Sequence, residues 1–310
     1  QNKIKIKKIS WPIDSIKIFN ELNNKNEILN FGNKNSKKFS IFKNYELYKI
    51  LQNSLIKEKN YSSKVIKNNS FYNSIIKNKK YDLIINTDQT NFISKNYFYN
   101  KIKKNYHSLA YTTIVKHKKI KNNCAHQVFT KNGPIAFLPI SNYETSVVYS
   151  IFERNKYFSD ELIKKLIIKY NKIYKINVFS KIENFNLKFS LQRKYYYKNI
   201  LNFGDNLHKI HPLAGQGFNM NLRDIKILSK LIDKKIKLGL ELDVSLLEEF
   251  EKNTRHLNFI FSFGIDFIHE FFKFDSHFEN NYTKGLFKFL NNNKFFNKYS
   301  SKFADKGLVI

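Results

Sequence analysis

Between residues 201 and 224 the chain gathers groups able to bind or react: Asp205, His208, His211, Gly215, Gln216, Gly217, Asn219, Arg223 and Asp224. Two histidines three residues apart, His208 and His211, can share a helical face and hold a metal. They precede the helix, however, and no acidic third ligand is placed beside them, so no metal is expected. A Ser-His-Asp nucleophile arrangement with supporting context is also missing. The glycines point to different chemistry. Gly215-Gln216-Gly217 supplies residues that can take positive φ and let a ligand approach the backbone, just ahead of a helix whose first N–H groups have no partner inside it. Such a helix end suits an electron-rich ligand edge.

The elements that must position these groups are legible around them. Residues 197–203 read as a short buried strand, stopped by Gly204 and Asp205. From Phe218 the apolar positions Phe218, Leu222, Ile225, Leu228 and Leu231 recur at helical spacing, and Gly239 ends the helix near residue 238. A strand delivers a loop, and the loop delivers a helix. Residues 81–89 form a second buried-strand run that ends at a carboxylate, Asp88. Upstream, residues 4–9, 13–19 and 28–31 read as strands, and 40–42 as a strand followed by a helix over 44–55. Residues 106–116, 125–130, 133–139 and 145–152 alternate as an antiparallel sheet. A helix over 159–174 is capped by Ser159, and 184–191 returns as a strand. Residues 244–273 are helical and rich in phenylalanine, at 250, 259, 261, 263, 267, 271 and 272. Either this is a core packed on its neighbours or a greasy surface touching lipid; aromatics at helical spacing favour the core.

At 310 residues the chain can bury a large core and is expected to form two intertwined domains. Its formal net charge of +30 invites a nucleic-acid or anionic-membrane partner. The lysines are spread over the whole chain among asparagine, isoleucine, phenylalanine and tyrosine, while glycine, proline and arginine are scarce, as drift towards A/T-rich codons would produce. With no zinc-finger spacing and no basic-region heptads, no nucleic-acid partner is expected. Attraction to an anionic bilayer needs no special geometry and stays open. The single cysteine, Cys124, excludes an intrachain disulfide framework, fits a reducing cytoplasm and reads as a small apolar residue of a strand. No run of about 18 apolar residues is present to span a membrane, and no secretory signal peptide is recognisable.

The pattern Gly-Asp-x-x-His-x-x-His-Pro-x-x-Gly-Gln-Gly-x-Asn-x-x-x-x-Asp over residues 204–224 resembles the second flavin-binding motif of the ubiquinone-biosynthesis hydroxylases. These are FAD-dependent aromatic monooxygenases of the p-hydroxybenzoate hydroxylase fold. The resemblance implies an α/β fold mixed with α+β, in which an incomplete Rossmann-type FAD domain (39–100 and 186–238) is intertwined with an antiparallel-sheet substrate domain (1–38 and 101–185) and followed by a C-terminal helical region (239–310). Residues 285–290 and 303–308 are similar to the ends of family members.

For the site, the family match implies flavin contacts at Asp88, Gly204, Asp205, Pro212, Leu213, Ala214, Gly215, Gln216, Gly217, Phe218 and Asn219. Asp205 would hydrogen-bond the ribityl chain, Pro212 and Leu213 would line the ring, and the backbone over 215–219 would donate to the pyrimidine edge. Asp88 would stand on the diphosphate side, and Asp224 would brace the loop. The family usually has Gly-Ala-Asp-Gly followed by Ser and Arg at the Asp88 strand end; here Gln89 replaces the glycine, with Ser94 and Lys95 after it. A side chain at 89 is costly if that backbone needs positive φ or close approach. The implied reaction is hydroxylation of a polyprenylated phenol with O2 and NAD(P)H, at the inner face of the cytoplasmic membrane and in contact with a ubiquinone-biosynthesis complex. The family's opening strand, glycine-rich turn and helix for the FAD diphosphate are not among these residues, and the first residue is Gln1. The chain is therefore expected to be an N-terminally truncated fragment that binds FAD poorly and is inactive alone. A non-catalytic relative that binds a quinone precursor or biosynthetic partner is the alternative.

Overall fold

The computed structural model describes residues 9–21, 27–31, 39–66, 68–77, 80–152, 158–212 and 215–275. Expectations for 4–8, 213–214, 285–290 and 303–308 lie outside them. The fold is the expected mixture of α and β. Two compact units divide the described residues, one up to 63 with 107–187 and 272–275, the other 64–106 with 188–271.

The first unit is built on a sheet. β2 (Ser15–Asn20) lies between β3 (Glu27–Phe31), antiparallel, and β7 (Cys124–Thr130), parallel. From β7 the order continues antiparallel through β8 (Gly133–Pro139) and β9 (Glu144–Phe152) to β6 (Lys101–His117), with β10 (Ile176–Phe179) also paired to β6. A small separate pair joins β1 (Ser10–Ile13) to β4 (Phe39–Phe42). The antiparallel meander was legible, whereas the parallel β2–β7 pair joins segments about a hundred residues apart. Alternation sends Val147, Tyr149 and Ile151 of β9 inward, where they pack with Ile135 and Phe137 of β8. α4 (Asp160–Tyr170) covers that face with Ile163 and Ile167.

α4 ends four residues earlier than expected. The Asn171 side chain accepts from the backbone N–H of Ile173 (3.2 Å) and Tyr174 (2.9 Å) and donates to the Tyr174 carbonyl (2.7 Å), so an Asx turn outcompetes another helical turn. At its start the Ser159 hydroxyl accepts from Leu162 N at 3.3 Å, with Asp160 and Glu161 in the first turn. Ser159→Ala is expected to cost about 1 kcal/mol, read as a fall in the denaturant midpoint at unchanged slope. α1 (Asn44–Leu55) buries none of its residues and leaves Tyr45 and Tyr48 in solvent.

The second unit is more helical. β5 (Ile84–Asn86) runs parallel to β13 (Ile200–Asn202), and β12 (Tyr196–Tyr197) pairs antiparallel to β13. The continuous strand expected over 197–203 is instead a hairpin, because Lys198 takes a φ of 51° and turns the chain. β14 (His208–Lys209) pairs with β11 (Glu183–Gln192). The helices are α2 (Asn69–Lys77), α3 (Phe92–Tyr97), α5 (Gln216–Lys237) and α6 (Val244–Asp275). Leu201, Phe203 and Leu207 pack against Leu228 and Leu231 of α5 and Leu246, Leu247 and Phe250 of α6. Each such side chain contributes about 1.5–3 kcal/mol by leaving water.

The apolar positions of α5 divide. Leu228 and Leu231 are core, but Phe218, Leu222 and Ile225 are 39%, 48% and 48% exposed. α6 divides likewise: Phe250 and Phe261 are buried, while Phe259, Phe263 and Phe267 face solvent. No helix among the described residues is long and apolar enough to cross a membrane.

Candidate functional site

The site grows from the parallel pair in the second unit. Ile200 pairs with Ile84 and Asn202 with Asn86, so both strands run the same way and their following loops leave the same edge of the sheet. Ligands of open α/β sheets gather at such carboxyl ends. The first loop carries Asp88. Its carboxylate accepts from the Thr90 backbone N–H and hydroxyl, each at 2.7 Å. Those bonds, the backbone one foremost, hold it below the usual carboxylate range, so the exposed loop presents a fixed anion. Beside it an open polar crevice of about 500 Å³ is lined by Tyr72, Asp88, Thr90, Asn91 and Lys95.

The second loop carries Gly204 and Asp205 in a short 3-10 turn, with Gly204 at a φ of 67°. Asp205 is exposed, and Asn221 of α5 donates to its carboxylate at 3.3 Å. Gln89, whose side chain was expected to be costly, is accommodated. Position 89 does not require positive φ, and the Gln89 amide donates to the Asp205 carbonyl at 2.5 Å.

Of the two glycines at the head of α5, only Gly215 takes the left-handed conformation, with a φ of 65°; Gly217 is ordinary helix. Gly215 is the N-cap and has no side chain to cap the opening N–H groups. Gln216, Gly217, Phe218 and Asn219 form the first turn, which contains no acidic residue, while Lys234, Lys235 and Lys237 occupy the last. The positive end of the helix dipole is thus left for an external electron-rich group. A Cβ built at Gly204 or Gly215 meets nothing within 4 Å, so open space lies in front of both. Exposed Asp205, that space and the uncapped helix start fit an extended polyhydroxylated ligand with an electron-rich edge, as FAD is. Pro212 is half-buried ahead of this turn.

Behind the turn lies a buried polar brace. The Asp224 carboxylate, 1% exposed, accepts from His208 Nε2 (2.9 Å), Arg223 Nη2 (3.2 Å) and Asn258 Nδ2 (3.1 Å). Asn258 also donates to the Tyr195 hydroxyl at 3.2 Å, and Arg223 donates to the Asn258 carbonyl oxygen. The β14 segment is thereby tied to both long helices. His208 and His211 have different neighbours. The His211 ring lies 4.2 Å from that of His269, with the Tyr106 ring edge-on at 5.3 Å. Among the described residues no group of three or more His, Cys, Asp or Glu could hold a metal ion.

Burial, then the neighbouring His269, pushes His211 well below its ordinary value of 6.5. His211 stays neutral in the fold but takes a proton in the unfolded chain as pH drops below 6.5. Its stabilising contribution is therefore complete above that pH and lost below it, by up to about 1.4 kcal/mol per pH unit. Melting at pH 7.5 and 5 should give a smaller acid loss for His211→Gln than for the unaltered protein.

Sequence reasoning missed Tyr106, Tyr195, Asn258 and His269, and also Asn86, Asn202 and Asn206. No spacing rule marks an amide that becomes buried only on folding. Asn91 was detectable: its side chain accepts from Ser94 N at 2.9 Å, an N-cap three residues ahead of its partner.

The squalene epoxidase family model matches residues 93–301, about two thirds of the chain. The ubiquinone biosynthesis monooxygenase COQ6 of Caenorhabditis elegans is 24% identical over 225 residues, covering 59% of this chain and 50% of that protein. The ubiquinone hydroxylase UbiL of Rhodospirillum rubrum is 27% identical over 169 residues, covering 50% of this chain and 38% of its own. The chain thus spans half or less of these relatives' lengths. Its fold matches that of p-nitrophenol 4-monooxygenase PnpA from Pseudomonas putida with a TM-score of 0.71 at 11% identity, over 98% of this chain and 84% of the other. From these matches, and from the motif at the head of α5, the chain belongs to the family of FAD-dependent monooxygenases that the squalene epoxidase model describes and that its ubiquinone-hydroxylase relatives represent.

Proposed function

We propose that this chain is the flavin-holding part of a monooxygenase that hydroxylates the aromatic ring of a polyprenylated phenol in ubiquinone biosynthesis, with O2 and NAD(P)H as co-substrates. The observation that carries the reading is the uncapped α5 start at left-handed Gly215, in a helix whose Asn221 bonds Asp205, which leaves the same sheet edge as Asp88. When bound, FAD supplies the redox chemistry that activates O2. The protein's part is placement. Asp205 would accept from ribityl hydroxyls, the backbone over 215–219 would donate to the pyrimidine edge, and Pro212 with Leu213 would line the ring. Asp88 would stand on the diphosphate side. The helix N-terminus would favour an electron-rich ring edge placed before it.

A peripheral seat on an anionic membrane is part of this proposal, supported by the net charge of +30 and by the exposed Phe259, Phe263 and Phe267. It would bring the prenylated substrate within reach, as would contact with a ubiquinone-biosynthesis complex. The deciding measurement is the absorbance spectrum of the purified protein after free flavin is removed, taken on these 310 residues and on the longest form the coding region allows. Flavin bands in either form support the monooxygenase. A folded protein that retains no flavin in both forms leaves a non-catalytic relative that binds a quinone precursor.

A further inference from the structure

Asp88 and Asp205 belong to different loops, yet their surroundings interlock in a reciprocal way. Asn206, the neighbour of Asp205, donates through Nδ2 to the Asp88 carbonyl at 2.9 Å. Gln89, the neighbour of Asp88, donates through Nε2 to the Asp205 carbonyl at 2.5 Å. Each carboxylate's neighbour thus holds the backbone of the other carboxylate.

The buried half of this arrangement is fully bonded. Asn206 Nδ2 also donates to Ser94 Oγ at 3.0 Å, and its Oδ1 accepts from Lys101 Nζ at 3.2 Å. The Asn206 carbonyl accepts from Asn202 Nδ2 at 3.2 Å, and Asn202 Oδ1 accepts from Asn86 Nδ2 at 3.1 Å. An ammonium on the acceptor side of an amide polarises its N–H groups, so the Lys101 contact strengthens the two bonds that Asn206 donates. Burial lowers the affinity of Lys101 for its proton, as expected of a cation drawn out of water to serve this amide. The exposed half is the Gln89 bond alone, at a position where nothing else requires a side chain.

We propose that Asn206 and Gln89 are positioning residues that fix the separation of Asp88 and Asp205, so that the two carboxylates meet one bound FAD without a reordering of their loops. This rests on the flavin reading above. Preorganisation of this kind appears as ligand affinity rather than as global stability.

Gln89→Ala is the clean test, because its side chain is exposed and the melting midpoint should stay within about 2 °C of the original. The FAD dissociation constant should rise about two- to tenfold, the worth of one net hydrogen bond. Asn206→Ala should weaken FAD by more than tenfold and lower the midpoint as well, since it removes a buried amide that bonds the Asp88 carbonyl, Ser94 and Lys101 at once, leaving the Asp88 carbonyl to the Ser94 hydroxyl and Lys101 to the backbone carbonyl of residue 206. The double variant should bind no worse than Asn206→Ala, because both bonds serve one clamp. Hydrogen exchange of residues 87–91 and 203–207 in flavin-free protein, with and without Gln89→Ala, reads the clamp independently of the cofactor. Faster exchange in both loops together with weaker FAD supports the proposal. Unchanged exchange overturns the clamp, and faster exchange with unchanged FAD affinity overturns its positioning role. Faster exchange in a protein that binds no FAD even unaltered, both as these 310 residues and in the longest form the coding region allows, overturns the flavin reading, and the role assigned to the clamp with it.

Discussion

Asp205→Ala is expected to weaken FAD binding by about 10- to 100-fold while leaving the fold intact. A charge-assisted bond between a carboxylate and a hydroxyl is worth about 1.5–3 kcal/mol, and each 1.4 kcal/mol is tenfold in affinity. The fold should survive because the Asp205 side chain is exposed and bonds, among the described residues, only Asn221 at 3.3 Å. Its carbonyl, which Gln89 engages, is unaffected by the substitution. Asp205→Asn keeps shape and acceptor but loses charge, and should fall between the two. Quenching of flavin fluorescence gives the affinities, with far-ultraviolet circular dichroism checking the fold. If folded Asp205→Ala binds FAD as the parent does, this carboxylate does not hold the ribityl chain.

The second large effect concerns stability. Asp224→Ala is expected to cost about 3–5 kcal/mol, as removal of one partner from a buried ionic cluster does. Three side chains donate to this carboxylate: His208 would lose its acceptor outright, while Arg223 would keep the Asn258 oxygen and Asn258 the Tyr195 hydroxyl. His208 and Asn258 are as deeply buried as Asp224 itself and cannot turn to water for a replacement. A fall of about 5–8 °C in the melting midpoint should follow. Asp224→Asn retains one acceptor and should cost less. An Asp224→Ala protein that melts with the parent would mean that the cluster contributes nothing net, as some buried ion pairs do not.

What the sequence disclosed about this site follows from how directly each residue states its backbone demand. Gly215 announces a left-handed position that few other residues occupy, and the structure has it there, whereas Gly217, read the same way, is ordinary helix, and Gly204, read as a strand stop, is left-handed as well. The long periodic helix from residue 244 was equally legible, since more than eight turns of one pattern leave little room for another reading. Local competition is harder to see. The hairpin at Lys198 and the early end of α4 at Asn171 depend on single turns that apolar periodicity does not register. Hardest of all were the buried amides. Asparagine is so common in this chain that Asn86, Asn202 and Asn206 look like background until folding brings residues more than a hundred positions apart within bonding distance. Periodicity identified α5 and α6 as helices, but which side of each faces solvent was decided by tertiary closure.

The solvent-facing stripe of Phe218, Leu222 and Ile225 has a practical consequence at the bench. Environment-sensitive dyes report unfolding by lighting up on newly exposed apolar surface. Here the native protein already offers them a binding patch, so a dye-based melt would begin bright and compress the transition. Ligand-induced dimming of that starting signal could then be mistaken for stabilisation. Dichroism or intrinsic fluorescence avoids the confusion, and the dye's initial brightness becomes a measurement in its own right, of whatever comes to cover the stripe.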